Sequence, residues 1–393
     1  MTENTHVVVI GGGYAGVMAA NRLTRREDVT VTLVNPRPSF VHRIRLHQLV
    51  AGTDSAVVDY REVLAEGVDL VVDSVVRMDA AGRAVELASG GTVGYDYLVY
   101  AVGSGSADPR VPGAAEFAHP IATFEEAERL RPVLDAAKGT VTVVGAGPTG
   151  IETAAELAEA GRAVTLVCGG ALGPYLHTRG RRSVAGRLAE LGVTVLEDAE
   201  VTAVTRDAVR LGDGRELPSA VTVWTAGFGV PELAARSGLS TDALGRLLTD
   251  ETLTSVDDPR IIAAGDSAAP SGLPLRMSCQ AAVPMGARAA DTVLSRIAGE
   301  RPETLNQWFA GQCISLGRSR GIFQFATRSD TAVWFKIDGR PGAKLKEAVC
   351  KGVVKHLAAE AGKPGGYRLH RLSGGGKRRE LLRTTREEVA VTV

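Results

Sequence analysis

Apolar residues recur along the chain in two rhythms. A β-branched run at 7–10, an amphipathic stretch from Ala15 to about Arg26 and a second run at 29–34 predict a strand, helix, strand unit of a parallel sheet. The same order returns at 141–144, at about 148–160 and at 163–167, 134 residues further on. Both copies close alike, with 98–100 leading into Ala101-Val102-Gly103 and 221–224 leading into Thr225-Ala226-Gly227. A repeat of that length is a whole fold and not a solenoid. The run 261–267 reads as a buried strand ending on Gly265 and Asp266, and 279–297 as a long helix.

The pattern predicts an α/β protein with two Rossmann-like dinucleotide-binding domains, the second inserted in the first, plus a small α+β C-terminal module. The expected boundaries are 1–112 with 247–300 for the first domain, 113–246 for the second and 301–393 for the module. Asp108-Pro109-Arg110-Val111-Pro112-Gly113 and 241–245 supply the linker signals.

Charge changes the picture only at the C-terminal end. The chain has 45 Lys and Arg against 45 Asp and Glu, so no global basic field points to nucleic acid. Residues 301–393 hold 18 Lys and Arg against 8 Asp and Glu, leaving the rest of the chain acidic. Cys168, Cys279, Cys313 and Cys350 lie far apart with no CxxC spacing, which suggests neither a disulfide framework nor a metal site. A polar start running straight into a strand leaves no room for a signal peptide, and no apolar stretch nears the roughly 18 residues of a membrane span. The expected setting is cytoplasmic.

Two glycine loops carry the chemistry. Gly11-Gly12-Gly13-Tyr14-Ala15-Gly16 fits GxGxxG between a strand and a helix, and Gly145-Ala146-Gly147-Pro148-Thr149-Gly150 repeats it. The first glycine allows the turn, the second lets a pyrophosphate approach, and the third lets helix and strand pack. The acid expected about 20 residues on is missing from both copies. Asn35 stands at the first position, where an amide can pair with a ribose hydroxyl, and Cys168-Gly169-Gly170 at the second. With Arg179, Arg181 and Arg182 downstream, NADH and NADPH both stay open as nucleotides. Glu152, two residues past the second loop, either faces nicotinamide or is an exposed helical acid. Asp266 suits a ribityl chain or a cap. Arg43 and Arg45, in the segment 41–47 with His42 and His47, either meet a phosphate or line a solvated loop. GxSxG, HExxH and GxxxxGK[ST] are absent, which removes hydrolase, zincin and Walker-type readings.

With these residues in order, the sequence resembles the two-dinucleotide-domain flavoproteins of the pyridine nucleotide-disulfide oxidoreductase superfamily. Tyr95-Asp96-Tyr97-Leu98-Val99-Tyr100-Ala101-Val102-Gly103-Ser104 is similar to their YDYLVxATGS, and Ile262-Ala263-Ala264-Gly265-Asp266 to their FAD-binding segment. Val223-Trp224-Thr225-Ala226-Gly227, and Leu316-Gly317-Arg318 with Gly321 and Gln324, are similar to type II NADH dehydrogenases and apoptosis-inducing-factor-like quinone reductases. The resemblance implies that Gly11, Gly13, Tyr14, Ala15, Gly16, Asn35, Gly103 and Asp266 hold FAD, with Arg43 and Ala282 as further cofactor contacts. It assigns Gly145, Gly147, Gly150, Glu152 and Gly227 to NAD(P)H. Two departures matter. No cysteine pair follows the first loop, which excludes disulfide reductase chemistry. In Ser278-Cys279-Gln280-Ala281-Ala282-Val283-Pro284-Met285-Gly286, Pro284 replaces the second glutamine of the quinone-site segment AQxAxQxG.

The expectation is an FAD-dependent NAD(P)H:acceptor oxidoreductase passing electrons to a quinone-like molecule, with Glu152 and Gln280 at the reacting centre and no metal. The cofactor carries the chemistry and the protein positions it. A soluble flavoenzyme serving a carrier protein or an aromatic metabolite is the alternative enzyme, and a non-catalytic redox sensor the alternative of another class. Sulfide:quinone chemistry would call on Cys313 and Cys350. Residues 341–361 predict an amphipathic helix with Leu345, Val349, Val353 and Leu357 on one face and Lys344, Lys351 and Lys355 opposite. That pattern suits peripheral contact with an anionic membrane on its inner face. A homodimer stays open.

Overall fold

The computed structural model describes residues 4–392. Two five-stranded parallel sheets organise the chain. The first runs Ile261–Ala263, Tyr97–Tyr100, Thr5–Ile10, Val29–Asn35, Val68–Val72 in spatial order. The second runs Ala118–Pro120, Val221–Trp224, Val141–Val144, Val164–Val167, Thr194–Leu196. Both centres are near-continuous apolar runs because helices cover both faces. Each sheet also carries an antiparallel three-stranded meander that the sequence pattern did not announce, Val75–Asp79 to Thr92–Gly94 and Val201–Val204 to Glu216–Pro218.

The cores shift the expected boundaries. Leu233, Ala234 and Leu239 pack in the first core with Leu247 and Leu253, so the chain is back there by Leu233 and not at 247. Leu46, Leu49 and Val50 leave the first unit to join the second core. Between the units Gly105–Ser106 pairs antiparallel with Phe228–Gly229, a short crossing that holds the two strand ends together.

The C-terminal module is an antiparallel sheet, Gly311–Ser315, Gly321–Ala326 and Ala332–Asp338, followed by the helix Gly339–Gly362. Its strands lend Ile314 and Ile322, and the turn between them Leu316, to the second core, while Val353, Val354 and Leu357 of the helix pack on the first. The module therefore bridges both units. A fully buried Arg22 fastens it, donating to Asp291 at 2.6 Å and to Glu360 at 2.9 Å, with His370 also on Asp291 at 2.9 Å. Such buried pairs repay their desolvation only when every partner is in place, so they fix one docking geometry.

The helix face differs from the expected stripe. Gly342, Lys346, Cys350, Leu357 and Glu360 form the buried side. Leu345 and Val349 are only half-buried at its flank, while Lys344, Lys351 and Lys355 are exposed. The apolar side of this helix is occupied by the protein body. Among the described residues no helix is long and apolar enough to cross a membrane.

Candidate active site

The two glycine loops have matching geometry. Gly11 and Gly145 leave their strands at φ of +99° and +121°, a region that favours glycine. A Cβ on Gly16 would collide with the Gly11 carbonyl, and one on Gly150 with the Gly145 carbonyl. At Gly13 and Gly147 a Cβ would meet nothing within 4 Å. These two open cradles sit at the N-termini of helices Tyr14–Leu23 and Pro148–Glu159, neither of which has a side-chain cap. Uncapped amides and the helix dipole are what a pyrophosphate requires, so both loops fit the dinucleotides assigned to them.

Around the first loop the predicted residues divide. Asn35 accepts from Gly12 N at 2.9 Å and donates to Arg37 O at 2.9 Å. It braces the loop. Tyr60, which the sequence did not single out, donates to Gly12 O at 2.8 Å and closes the same turn. Ala15 and Ala282 lie at a close helix contact: a Cβ on Gly286 of helix Cys279–Ile297 would strike the Ala15 backbone of helix Tyr14–Leu23, and one on Gly265 would lie against both alanine methyls. Tyr14 is edge-on to Phe40 and accepts from Ile44 N at 3.3 Å. Burial pushes its phenol well up, so it stays protonated.

Arg43, Ser104 and Asp266 converge. Arg43 donates to Ser104 Oγ at 2.7 Å, Ser104 donates to Asp266 at 2.7 Å, and the guanidinium lies 3.5 Å from that carboxylate and over Phe228. One buried Arg43 nitrogen, Nη2, has no partner. With Gly103 open at φ +71°, this cluster offers donors and a carboxylate beside the end of the first sheet. A flavin's hydroxyls and ring fit such a set. Gly227, at φ +84°, sits across the crossing strands from Ala107.

Glu152 is neither exposed nor free. It is buried, accepts from Lys346 Nζ at 2.8 Å and from Ser315 N at 2.9 Å, and lies 3.5 Å from His47 Nδ1. Burial pulls the carboxyl up, but the ammonium and the other partners hold it below the usual carboxylate range. Lys346 is pulled down by burial and raised well above its ordinary value by Glu152, so the pair is charged. His47 is lowered to about 4 by burial and is neutral at pH 7. One turn along the helix Glu156 is buried, and that burial raises it to about 7 although Arg318 pulls it the other way. Its Oε1 is 3.5 Å from Ser315 Oγ and from Arg318 Nη1. Sequence reasoning did not single out Lys346. The spacing Gly342, Lys346, Cys350, Val353, Leu357 carries the helical period and would have put it on the buried face.

Gln280 ties its helix to the hairpin, with its amide against Gly311 O and Ala310 N at 3.1 and 3.3 Å. Pro284 removes the amide that Gln280 O would accept, and Gln307 Nε2 donates there instead at 3.2 Å. Cys279, Cys313 and Cys350 come together near Lys346. Burial raises all three, to about 12 for Cys279 and about 11 for Cys350, so they are thiols and poor nucleophiles.

Comparison with known proteins fits this arrangement. The pattern of the pyridine nucleotide-disulphide oxidoreductase family matches residues 5–286. An NADH dehydrogenase-like protein of Mycobacterium tuberculosis is 35% identical over 326 residues, covering 74% of this chain and 80% of the relative. The type II NADH:quinone oxidoreductase Ndh of the same organism is 30% identical over 343 residues, covering 75% and 73%. The solved sulfide:quinone oxidoreductase of Aquifex aeolicus superposes with a TM-score of 0.77 at 21% identity, covering 91% and 92%. The chain belongs to the pyridine nucleotide-disulphide oxidoreductase family. It is an NAD(P)H-dependent flavoenzyme whose cofactors are FAD and the pyridine nucleotide.

Proposed function

We propose that the protein is an NAD(P)H:quinone-type oxidoreductase, with its acceptor side formed where helix Pro148–Glu159 meets the C-terminal module. The observation that carries this reading is the buried Glu152–Lys346 pair, 2.8 Å apart, joining the nucleotide helix to that module. FAD, when bound, accepts hydride from the nicotinamide and returns two electrons one or two at a time. Lys346 Nζ places a fixed positive charge where a reduced quinone oxygen needs one, and low local polarity strengthens it. Quinone reduction also takes up protons. Glu156, buried and raised to about 7, can hold one near neutrality between solvent-facing Arg318 and Ser315. Gln280 acts as a positioning residue for strand Gly311–Ser315.

Arrival of a lipid-borne acceptor is supported by the outer surface of the module. Trp334 and Phe335 are 61% and 45% exposed, and Lys344, Lys351 and Lys355 are exposed on the neighbouring helix. Peripheral contact with an anionic membrane belongs to this proposal, through these residues and not through the inward stripe. Flotation with anionic vesicles tests it, and a Trp334→Ser, Phe335→Ser protein should float less.

The acceptor reading is tested by comparing ubiquinone-type and menaquinone-type analogues with ferricyanide, which needs no proton. Lys346→Met should keep flavin reduction by nucleotide and ferricyanide turnover while losing at least about tenfold in quinone turnover. Equal losses with both acceptors would count against it.

A further inference from the structure

The acid expected at the end of strand Val164–Val167 is missing, and the next strand out, Thr194–Leu196, carries two acids just past its end, Glu197 and Asp198. Cys168, at the expected position, is fully buried, so its thiol cannot face a ligand. Its backbone continues the ladder past the last paired residues: Cys168 N donates to Leu196 O at 2.8 Å, and Ala199 N donates to Cys168 O at 2.9 Å. Two further bonds draw the turn at 197–198 against the turn at 168–172. Asp198 N donates to Gly170 O at 3.1 Å, and Leu172 N donates to Glu197 Oε1 at 2.6 Å. Asp198 has φ of +50°, a left-handed conformation that a non-glycine residue adopts at some cost. At the neighbouring glycines the space is open. A Cβ on Gly169, on Gly170, or on Gly147 of the adjacent phosphate loop would meet nothing within 4 Å. The Cys168 thiol is raised to about 12 by burial, with the Glu197 and Asp198 charges adding to the rise, so both carboxylates act on this strand end.

We propose that Glu197 and Asp198 make the second site select NADH over NADPH. The proposal rests on the reading of the second loop as the NAD(P)H site. In a Rossmann unit the adenosine ribose lies at the end of the strand that follows the loop helix, here at 168–170. Carboxylates there accept from free ribose hydroxyls and repel a 2′-phosphate, which carries close to two negative charges. The sequence suggested that loss of the acid would admit both nucleotides, with Arg179, Arg181 and Arg182 just downstream. Of these, Arg179 lies over the Trp334 ring at 5.4 Å, engaged with the C-terminal hairpin. Gly180 beside it packs against Gln324 and Ile322.

Calorimetric binding of ADP-ribose and of 2′-phospho-ADP-ribose to the FAD-loaded protein tests this without turnover. The native protein is expected to favour ADP-ribose by at least about tenfold. Glu197→Gln with Asp198→Asn should lower that ratio by about tenfold or more, mainly by gaining affinity for the 2′-phosphorylated ligand. Gln can still accept from Leu172 N, and Asn tolerates the left-handed turn, so the fold is kept. Equal affinities in the native protein, or an unchanged ratio in the variant, would overturn the assignment. Failure of the underlying reading looks different: neither ligand would bind to either protein, and NADH would leave the flavin oxidised.

Discussion

Lys346 Nζ donates to Glu152 Oε1 across 2.8 Å, and the two residues come from units 194 positions apart in the chain. Both side chains are under 10% exposed, so each charge depends on the other. Lys346→Met leaves Glu152 charged in a buried setting and is expected to cost about 3–5 kcal/mol. Combining it with Glu152→Gln removes the orphaned charge and should recover most of that loss. Thermal melts of the FAD-loaded proteins check this, and a double variant no more stable than the single one would contradict it.

Glu156 makes stability depend on pH in a known direction. Its carboxyl is raised to about 7 in the folded protein, against an ordinary value near 4.5. Between those values the folded state binds the extra proton, so its share of stability is full below about 4.5 and declines as pH rises towards 7. Glu156→Gln removes the decline and should stabilise the protein at pH 8 by roughly 1–3 kcal/mol relative to its effect at pH 5. The readout is the difference between variant and native melting temperatures across that range. A difference that does not change with pH would refute the assignment.

Pro284 and Gln307 form a compensating pair. Without an amide on Pro284, Gln280 O depends on Gln307 Nε2, so Gln307→Ala is expected to cost about 1–2 kcal/mol. Pro284→Ala restores an amide four residues after Gln280 and should make Gln307→Ala nearly neutral. A double-mutant cycle measures the coupling, and additive effects would show that the glutamine acts elsewhere.

Much of the fold was legible because it is written locally. Strand periodicity and each GxGxxG loop lie within a few dozen residues, and the second copy repeats the first at an offset of 134. The site was legible only where backbone geometry dictates the residue, as at Gly16 and Gly150. Asn35, Ala15 and Ala282 were assigned to cofactor by motif position, and their turn and helix contacts, made with residues outside the motif, were not legible there. Glu152 was read as facing nicotinamide or as an exposed helical acid, and its burial escaped both readings because its partners, Lys346, Ser315 and His47, come from distant segments. For the same reason the meanders and the return of the chain at Leu233 escaped notice: tertiary packing places them, and short strands leave little local signal.

The matching loops predict that the two half-functions can be lost separately. At Gly16 and Gly150 an added methyl would collide with a backbone carbonyl of its own loop, which no rotamer change can relieve. Gly150→Ala should therefore displace the second loop while leaving the first untouched, since the two belong to different sheets. The purified variant is expected to stay yellow with full FAD content, yet its flavin should be reduced by NADH at least about a hundredfold more slowly. Dithionite should still bleach it fully. Gly16→Ala should do the reverse at the first loop, giving a protein that folds poorly or emerges colourless. Absorbance at the flavin band and anaerobic stopped-flow mixing with NADH separate these cases. A Gly150→Ala protein that loses FAD while Gly16→Ala keeps it would mean that the loops are assigned to the wrong dinucleotides.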